Sequence, residues 1–179
     1  ACAKATGLIS AWVKQGHRVR VACTPSVRHF VGPATLEGLS GEPVFDDAFA
    51  AGRAMDHIGL AQWADLLVVC PATGNLINKF AAGIGDDAVT TLWQAAWDRE
   101  LPTFLVPAMN THMWNYPATR DSMARLRRWG VHVLPTAEGE LACGELGAGR
   151  MLEPGQIMDS IDALLAFDLA APAGRVLVT

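Results

Sequence analysis

No apolar run in this chain approaches the roughly 18 residues that a membrane-spanning helix needs, and no signal-peptide pattern opens it. Charged residues make up only 18%, with a net charge of -4, so there is no basic field to attract nucleic acid or an anionic membrane. The four cysteines, Cys2, Cys23, Cys70 and Cys143, are scattered, with neither metal-ligand spacing nor a disulfide framework. The expectation is a reduced, cytoplasmic protein without a metal site. There is no internal repeat and no low-complexity tract. Tyrosine is nearly absent, one against six tryptophans, and some of those rings are expected to face a partner subunit or a ligand. What is abundant is apolar surface: hydrophobic residues reach 51% of 179, enough for one domain that buries roughly 70% of its unfolded surface.

Periodicity divides the chain into alternating elements. Ala5, Leu8, Ile9, Trp12 and Val13 form a helical stripe that Gly16 ends. Short apolar runs at 19–23, 66–70, 103–106 and 131–134 predict buried strands, and helices are predicted near 86–97 and 118–129. A last amphipathic helix carries Ile157, Ile161, Leu164 and Leu165. Fully apolar strands alternating with helices predict an α/β protein: an open doubly wound parallel sheet, Rossmann-like or flavodoxin-like, flanked by helices in three layers. Such a sheet normally opens on a strand, whereas this chain opens on a helix and closes on a strand-like run at 175–179. The expectation is a chain cut at both ends, with residues 1–170 as one domain lacking its first strand. Residues 171–179 are then a Pro-Ala-Gly linker and the start of a second domain.

Ligands of open α/β sheets bind beyond the carboxyl ends of the strands. Three polar clusters follow predicted strands: Thr24-Pro25-Ser26, Pro71-Ala72-Thr73-Gly74-Asn75, and 107–114 from Pro107 to Trp114. Hydroxyls, amides and small residues suit the edge of a planar neutral heterocycle. Taken singly, each cluster also fits a plain turn, with Asn75 as a helix cap.

Together the clusters carry a resemblance. Pro71-Ala72-Thr73-Gly74-Asn75 resembles the Pro-Ala-Ser-Ala-Asn-Thr motif of the homo-oligomeric flavin-containing cysteine decarboxylases, with Leu76 in place of its last Thr. Pro107-Ala108-Met109-Asn110 with Met113-Trp114 is similar to that family's Pro-x-Met-Asn-x-x-Met-Trp motif. The stretch from Leu141-Ala142-Cys143-Gly144-Glu145 through Gly149-Arg150-Met151 resembles the substrate clamp of the phosphopantothenoylcysteine decarboxylase branch.

The resemblance implies bound FMN, in preference to FAD, held by Thr24, Ser26, Phe30, Ala72, Thr73 and Asn75. It implies His57, Asn110 and Cys143 as catalytic residues and Asn110, Met113, Ala142 and Arg150 as substrate contacts. In that chemistry the flavin takes hydride from the carbon bearing sulfur, and the resulting thioaldehyde loses carbon dioxide to give an enethiol. His57 takes the thiol proton, the uncharged Asn110 amide holds the carboxylate, and Cys143 protonates the enethiol as hydride returns. Without the resemblance His57 reads as a surface histidine, Asn110 as a turn residue and Cys143 as a buried thiol; Gly139, Gly144, Gly147 and Gly149 suggest a mobile flap. Asp86 and Asp87 read either as helix caps or as ligand contacts.

The expected substrate is 4'-phosphopantothenoylcysteine. Alternatives are a C-terminal peptidyl cysteine, oxidised to the enethiol during peptide maturation, and a non-catalytic flavin-binding regulator. The run from Gly174 to Thr179 resembles the opening strand of the synthetase domain that follows the decarboxylase in bifunctional bacterial proteins. The resemblance also implies a homotrimer, open to further assembly of trimers, with flavin and substrate near subunit boundaries.

Overall fold

The computed structural model describes residues 1–140, 144, 146–168 and 174–179. Its elements run α1 (Cys2–Lys14), β1 (Arg18–Val21), α2 (Pro33–Ser40), α3 (Asp56–Trp63), β2 (Leu66–Ala72), α4 (Gly74–Ala82), α5 (Ala88–Ala95) and β3 (Thr103–Pro107). Then follow α6 (Thr111–Asn115), α7 (Pro117–Arg128), β4 (His132–Val133), β5 (Ala137–Glu140), β6 (Leu146–Arg150), α8 (Pro154–Asp168) and β7 (Arg175–Val178). Five strands form one parallel sheet in the order β1-β7-β2-β3-β4, and β5 with β6 forms a separate antiparallel hairpin.

Successive strand residues face opposite sides, and the two cores follow that alternation. Leu66, Val68, Cys70, Phe104, Val106, Val176 and Val178 pack with α1, α2 and α8. Leu67, Val69, Leu105 and Leu177 pack with α3, α4, α5 and α7. This is the three-layer, doubly wound arrangement expected from the fully apolar strands. The α1 stripe is buried as read, with Ala5, Leu8, Ile9 and Trp12 at 7% exposure or less.

Three local differences have clear causes. The helix expected over 86–97 begins at Ala88, because the Asp87 carboxylate accepts the Thr90 N–H and caps it, and it gives way to a 3-10 turn at Trp97–Arg99. The run at 131–134 supplies only a two-residue strand, registered against Phe104 and Leu105. The glycine-rich stretch after residue 136 forms the β5–β6 hairpin.

The run at 175–179, read as a strand, forms β7 at the centre of the sheet, parallel to β1 on one side and β2 on the other. Its continuous apolar run Val-Leu-Val suits a strand buried on both faces, and Val176, Leu177 and Val178 are at most 1% exposed. The strand's start is fixed by Asp65: its carboxylate accepts the Arg175 N–H at 3.0 Å, Nε at 2.9 Å and Nη2 at 2.6 Å.

The Arg175 guanidinium, hydrogen-bonded to the Asp65 carboxylate, holds it below the usual carboxylate range. A depressed carboxyl contributes stability that is complete above its unfolded value of about 4 and is lost as pH falls through the folded value. Urea denaturation of Asp65→Asn is therefore expected to show lower stability near neutrality and a smaller further loss between about pH 6 and about pH 3 than the parent. Equal pH slopes in the two proteins would contradict this role.

Candidate active site

At the carboxyl edge of the sheet, where β1, β7 and β2 end, lies a cavity of about 580 Å³. Thr24, Ser26, Phe30, Thr73 and Asn75 all line it, so five of the six residues nominated for flavin contact are brought together. The sixth, Ala72, does not line it: fully buried at the end of β2, it accepts the Ala108 N–H at 3.1 Å and supports the wall from behind.

Thr73 is the N-cap of α4, its hydroxyl accepting the Leu76 N–H at 3.2 Å. The cap expected of Asn75 therefore belongs to Thr73, and Asn75 lies inside the first turn of the helix. Asp87 forms a reciprocal capping box with Thr90, and Asp86 and Asp87 both line the cavity. Lys79 also lines it, with Nζ 2.7 Å from Asp86 Oδ1. That hydrogen bond draws the Asp86 carboxyl down and raises Lys79. Lys79 was not nominated, although it follows Asn75 by one helical turn and so shares its face.

Asn110 is the N-cap of α6, just beyond β3, and its Oδ1 accepts the His112 N–H at 2.7 Å. This turns the amide oxygen toward the helix. A Cβ placed on Gly74 would lie 3.6 Å from both Met109 Sδ and Met113 Cε, so the Met-Asn segment packs on the first turn of α4, the turn that lines the cavity. Met113 remains 49% exposed. Arg150, at the end of β6, donates to Glu153 at 3.0 Å, and Glu153 also accepts from Lys4 at 2.7 Å. Arg150 is thus tied to α1 and the start of α8, as a support of the hairpin. Ala142 and Cys143 lie outside the described residues.

His57 sits in the first turn of α3. Only two residues join α3 to β2, so that turn lies at the carboxyl edge of the sheet, the edge that holds the cavity. His57 and Asn110 do not line the cavity within one chain. The His57 Nδ1 is buried without a hydrogen-bond partner among the described residues.

Three thiols, Cys2, Cys23 and Cys70, line the cavity. Burial pushes Cys70 up to about 12; burial first, and then the Asp46 charge, pushes Cys23 up to about 11. At about pH 8 only about one Cys23 in a thousand would be a thiolate. Both are neutral, apolar lining. Iodoacetamide treatment with peptide mapping is expected to leave Cys23 and Cys70 unmodified until the chain is unfolded; labelling of either in the native protein would contradict that.

Comparison with known proteins decides the family. The model of the family described as Flavoprotein matches residues 1–166. The chain belongs to the Flavoprotein family. Among curated relatives, the coenzyme A biosynthesis bifunctional protein CoaBC of Mycobacterium tuberculosis strain H37Rv is 44% identical over 178 residues, covering 98% of this chain and 42% of its own length. The CoaBC of Bacillus subtilis strain 168 is 40% identical over 171 residues, covering 94% and 41%. The chain thus spans about two fifths of the length of these relatives. Among solved structures, a mutant of PPC decarboxylase complexed with pantothenoylaminoethenethiol has a TM-score of 0.80 at 31% identity, covering 92% of each chain. The FMN binding protein AtHal3 has a TM-score of 0.78 at 32% identity, covering 93% of this chain and 91% of its own.

The cavity meets the demands of this family's flavin. Its volume falls within the usual cofactor range, and hydroxyls and an amide stand on an apolar lining. The Thr179 hydroxyl, at the cavity wall, is buried without a partner among the described residues. The contribution of Val178 and Thr179 was not anticipated, because no local pattern says where a late strand inserts.

Proposed function

We propose that this chain decarboxylates 4'-phosphopantothenoylcysteine to 4'-phosphopantetheine, with FMN as its flavin. One observation carries the reading: the segment 109–113, bearing Asn110, packs on the same helix turn that lines the cavity with Thr73 and Asn75. A carboxylate contact and a flavin site thereby adjoin. The similarity to CoaBC proteins and to PPC decarboxylase supports the same substrate class.

Losing carbon dioxide from an ordinary cysteine carboxylate leaves an unstabilised carbanion, and the bound flavin supplies the hydride-accepting chemistry that avoids it. The protein's share is positioning and proton transfer. Thr24, Ser26, Phe30, Thr73 and Asn75 would orient the cofactor, and Met113 packs beside Gly74 on the adjoining helix turn. Asn110 holds the carboxylate through an uncharged amide, so the departing group is not overstabilised. His57 would accept the thiol proton, and Cys143 would protonate the enethiol as the hydride taken earlier is returned, so the cycle would close without net oxidation. Arg150 braces the β5–β6 hairpin, and Cys143 falls in sequence between its two strands.

We also propose a homotrimer with the site at subunit boundaries, where one protomer's His57 meets the Asn110 of its neighbour. The orphaned His57 nitrogen and the exposure of Phe30, Met55 and Met113 support it. A cytoplasmic location is part of the same proposal; among the described residues, no helix is long and apolar enough to cross a membrane. Residues 1–170 are the decarboxylase in this reading, and the family match ends within them. In this reading residues 171–179 lead toward a synthetase domain, and Arg175–Val178 also pairs with β1 and β2.

Product mass tests the proposal. Incubation with the pantothenate-derived substrate is expected to give a saturated thiol lighter by one carbon dioxide. Turnover of a C-terminal peptidyl cysteine alone, to a product lighter by a further pair of hydrogens, would overturn the substrate assignment.

A further inference from the structure

The β5–β6 hairpin is docked through its second strand onto the segment that carries Asn110. The Met109 N–H donates to the Gly149 carbonyl at 2.9 Å, and the Thr111 hydroxyl donates to the Ala148 carbonyl at 2.7 Å. These bonds bracket Asn110 on both sides. The approach is close enough to exclude side chains: a Cβ on Gly149 would lie 2.2 Å from the Met109 carbonyl oxygen, and one on Gly147 would lie 2.4 Å from Thr111 Oγ1. Gly149 also has a φ of 119°, in the region that favours glycine, and its N–H donates to Thr136 at 3.2 Å. The sequence suggested flexibility for these glycines; the geometry assigns them contact. On its other side the segment is held by the Ala108 N–H to Ala72. Since β3 ends at Pro107, Asn110 has no strand of its own to fix it.

We infer that Thr111 and Gly149 are positioning residues that set Asn110 against the substrate carboxylate by fastening its backbone to β6. This rests on the reading of Asn110 given above. A displacement of about 1 Å at such a group costs up to about a hundredfold in rate, and the loss of one of two bracketing bonds sets a smaller expectation.

The test uses flavin-loaded protein and Thr111→Val, which keeps the side-chain shape, with Thr111→Ser as the rescue. Thr111→Val is expected to keep the parent flavin content and to lose about tenfold in kcat/KM. Its affinity for the product thiol, which has no carboxylate, stays at the parent level, and amide exchange across 109–112 becomes faster. Thr111→Ser restores each value. Parent-like kcat/KM and exchange in Thr111→Val would overturn the inference, as would an equal loss of affinity for the product thiol. A parent protein inactive on the substrate overturns the functional reading instead; exchange then decides, faster exchange in Thr111→Val supporting the positioning role and unchanged exchange overturning it.

Discussion

Replacing His57 by Asn is expected to lower the decarboxylation rate by about 10²–10⁴-fold, the span for loss of a positioned general base, while flavin content and thermal stability stay near the parent values. The expectation rests on place and on an unmet valence. His57 opens α3 at the carboxyl edge of the sheet, and its Nδ1 is buried with no partner among the described residues. A histidine serving only to hold the helix would direct its buried nitrogen at a neighbour. Asn keeps a polar group there but cannot take a proton near neutral pH, so the variant separates proton transfer from hydrogen bonding. Steady-state kinetics on equal amounts of flavin-loaded protein provide the comparison. Parent-level kcat in His57→Asn would remove His57 from the mechanism.

Deleting residues 175–179 is expected to abolish both the cooperative fold and flavin binding. Without β7 the two remaining parts of the sheet share no strand pairing, since β1 is registered with β7 and β2 reaches β1 only through it. Three side chains at most 1% exposed, Val176, Leu177 and Val178, would be lost. At about 1.5–3 kcal/mol each, their burial is worth roughly 5–9 kcal/mol. That is comparable with the whole stability of a typical domain, about 5–15 kcal/mol. The deletion also removes the cavity wall at Val178 and Thr179. Thermal unfolding by circular dichroism, read with flavin absorbance, gives the result directly. A truncated chain that unfolds cooperatively with its flavin retained would contradict the central placement of β7.

The layers were legible because fully apolar strands and the 3.6-residue stripe of α1 record burial directly in residue type. The cavity was legible wherever a polar cluster closely follows a strand, as at Thr24, Ser26 and Thr73, because topology sends those positions to one edge. What was not legible depended on contacts distant in sequence. Arg175 to Val178 read as a strand, but its slot is set by Asp65 and by the edges of β1 and β2, more than a hundred residues away. Gly147 and Gly149 read as part of a mobile flap because their close approach to Met109 and Thr111 has no local signature. Asn75 read as a cap because helix starts are uncertain by a residue or two, and the hydroxyl of Thr73 takes that place.

The absorption spectrum of the purified protein, followed by identification of the cofactor released on denaturation, bears most directly on the claim that the cavity at the ends of β1, β7 and β2 is a flavin site. The spectrum is expected to show the bands of an oxidised flavin, equimolar with the chain, and the released cofactor is expected to be FMN. A colourless protein that takes up no added FMN would contradict the account at its base.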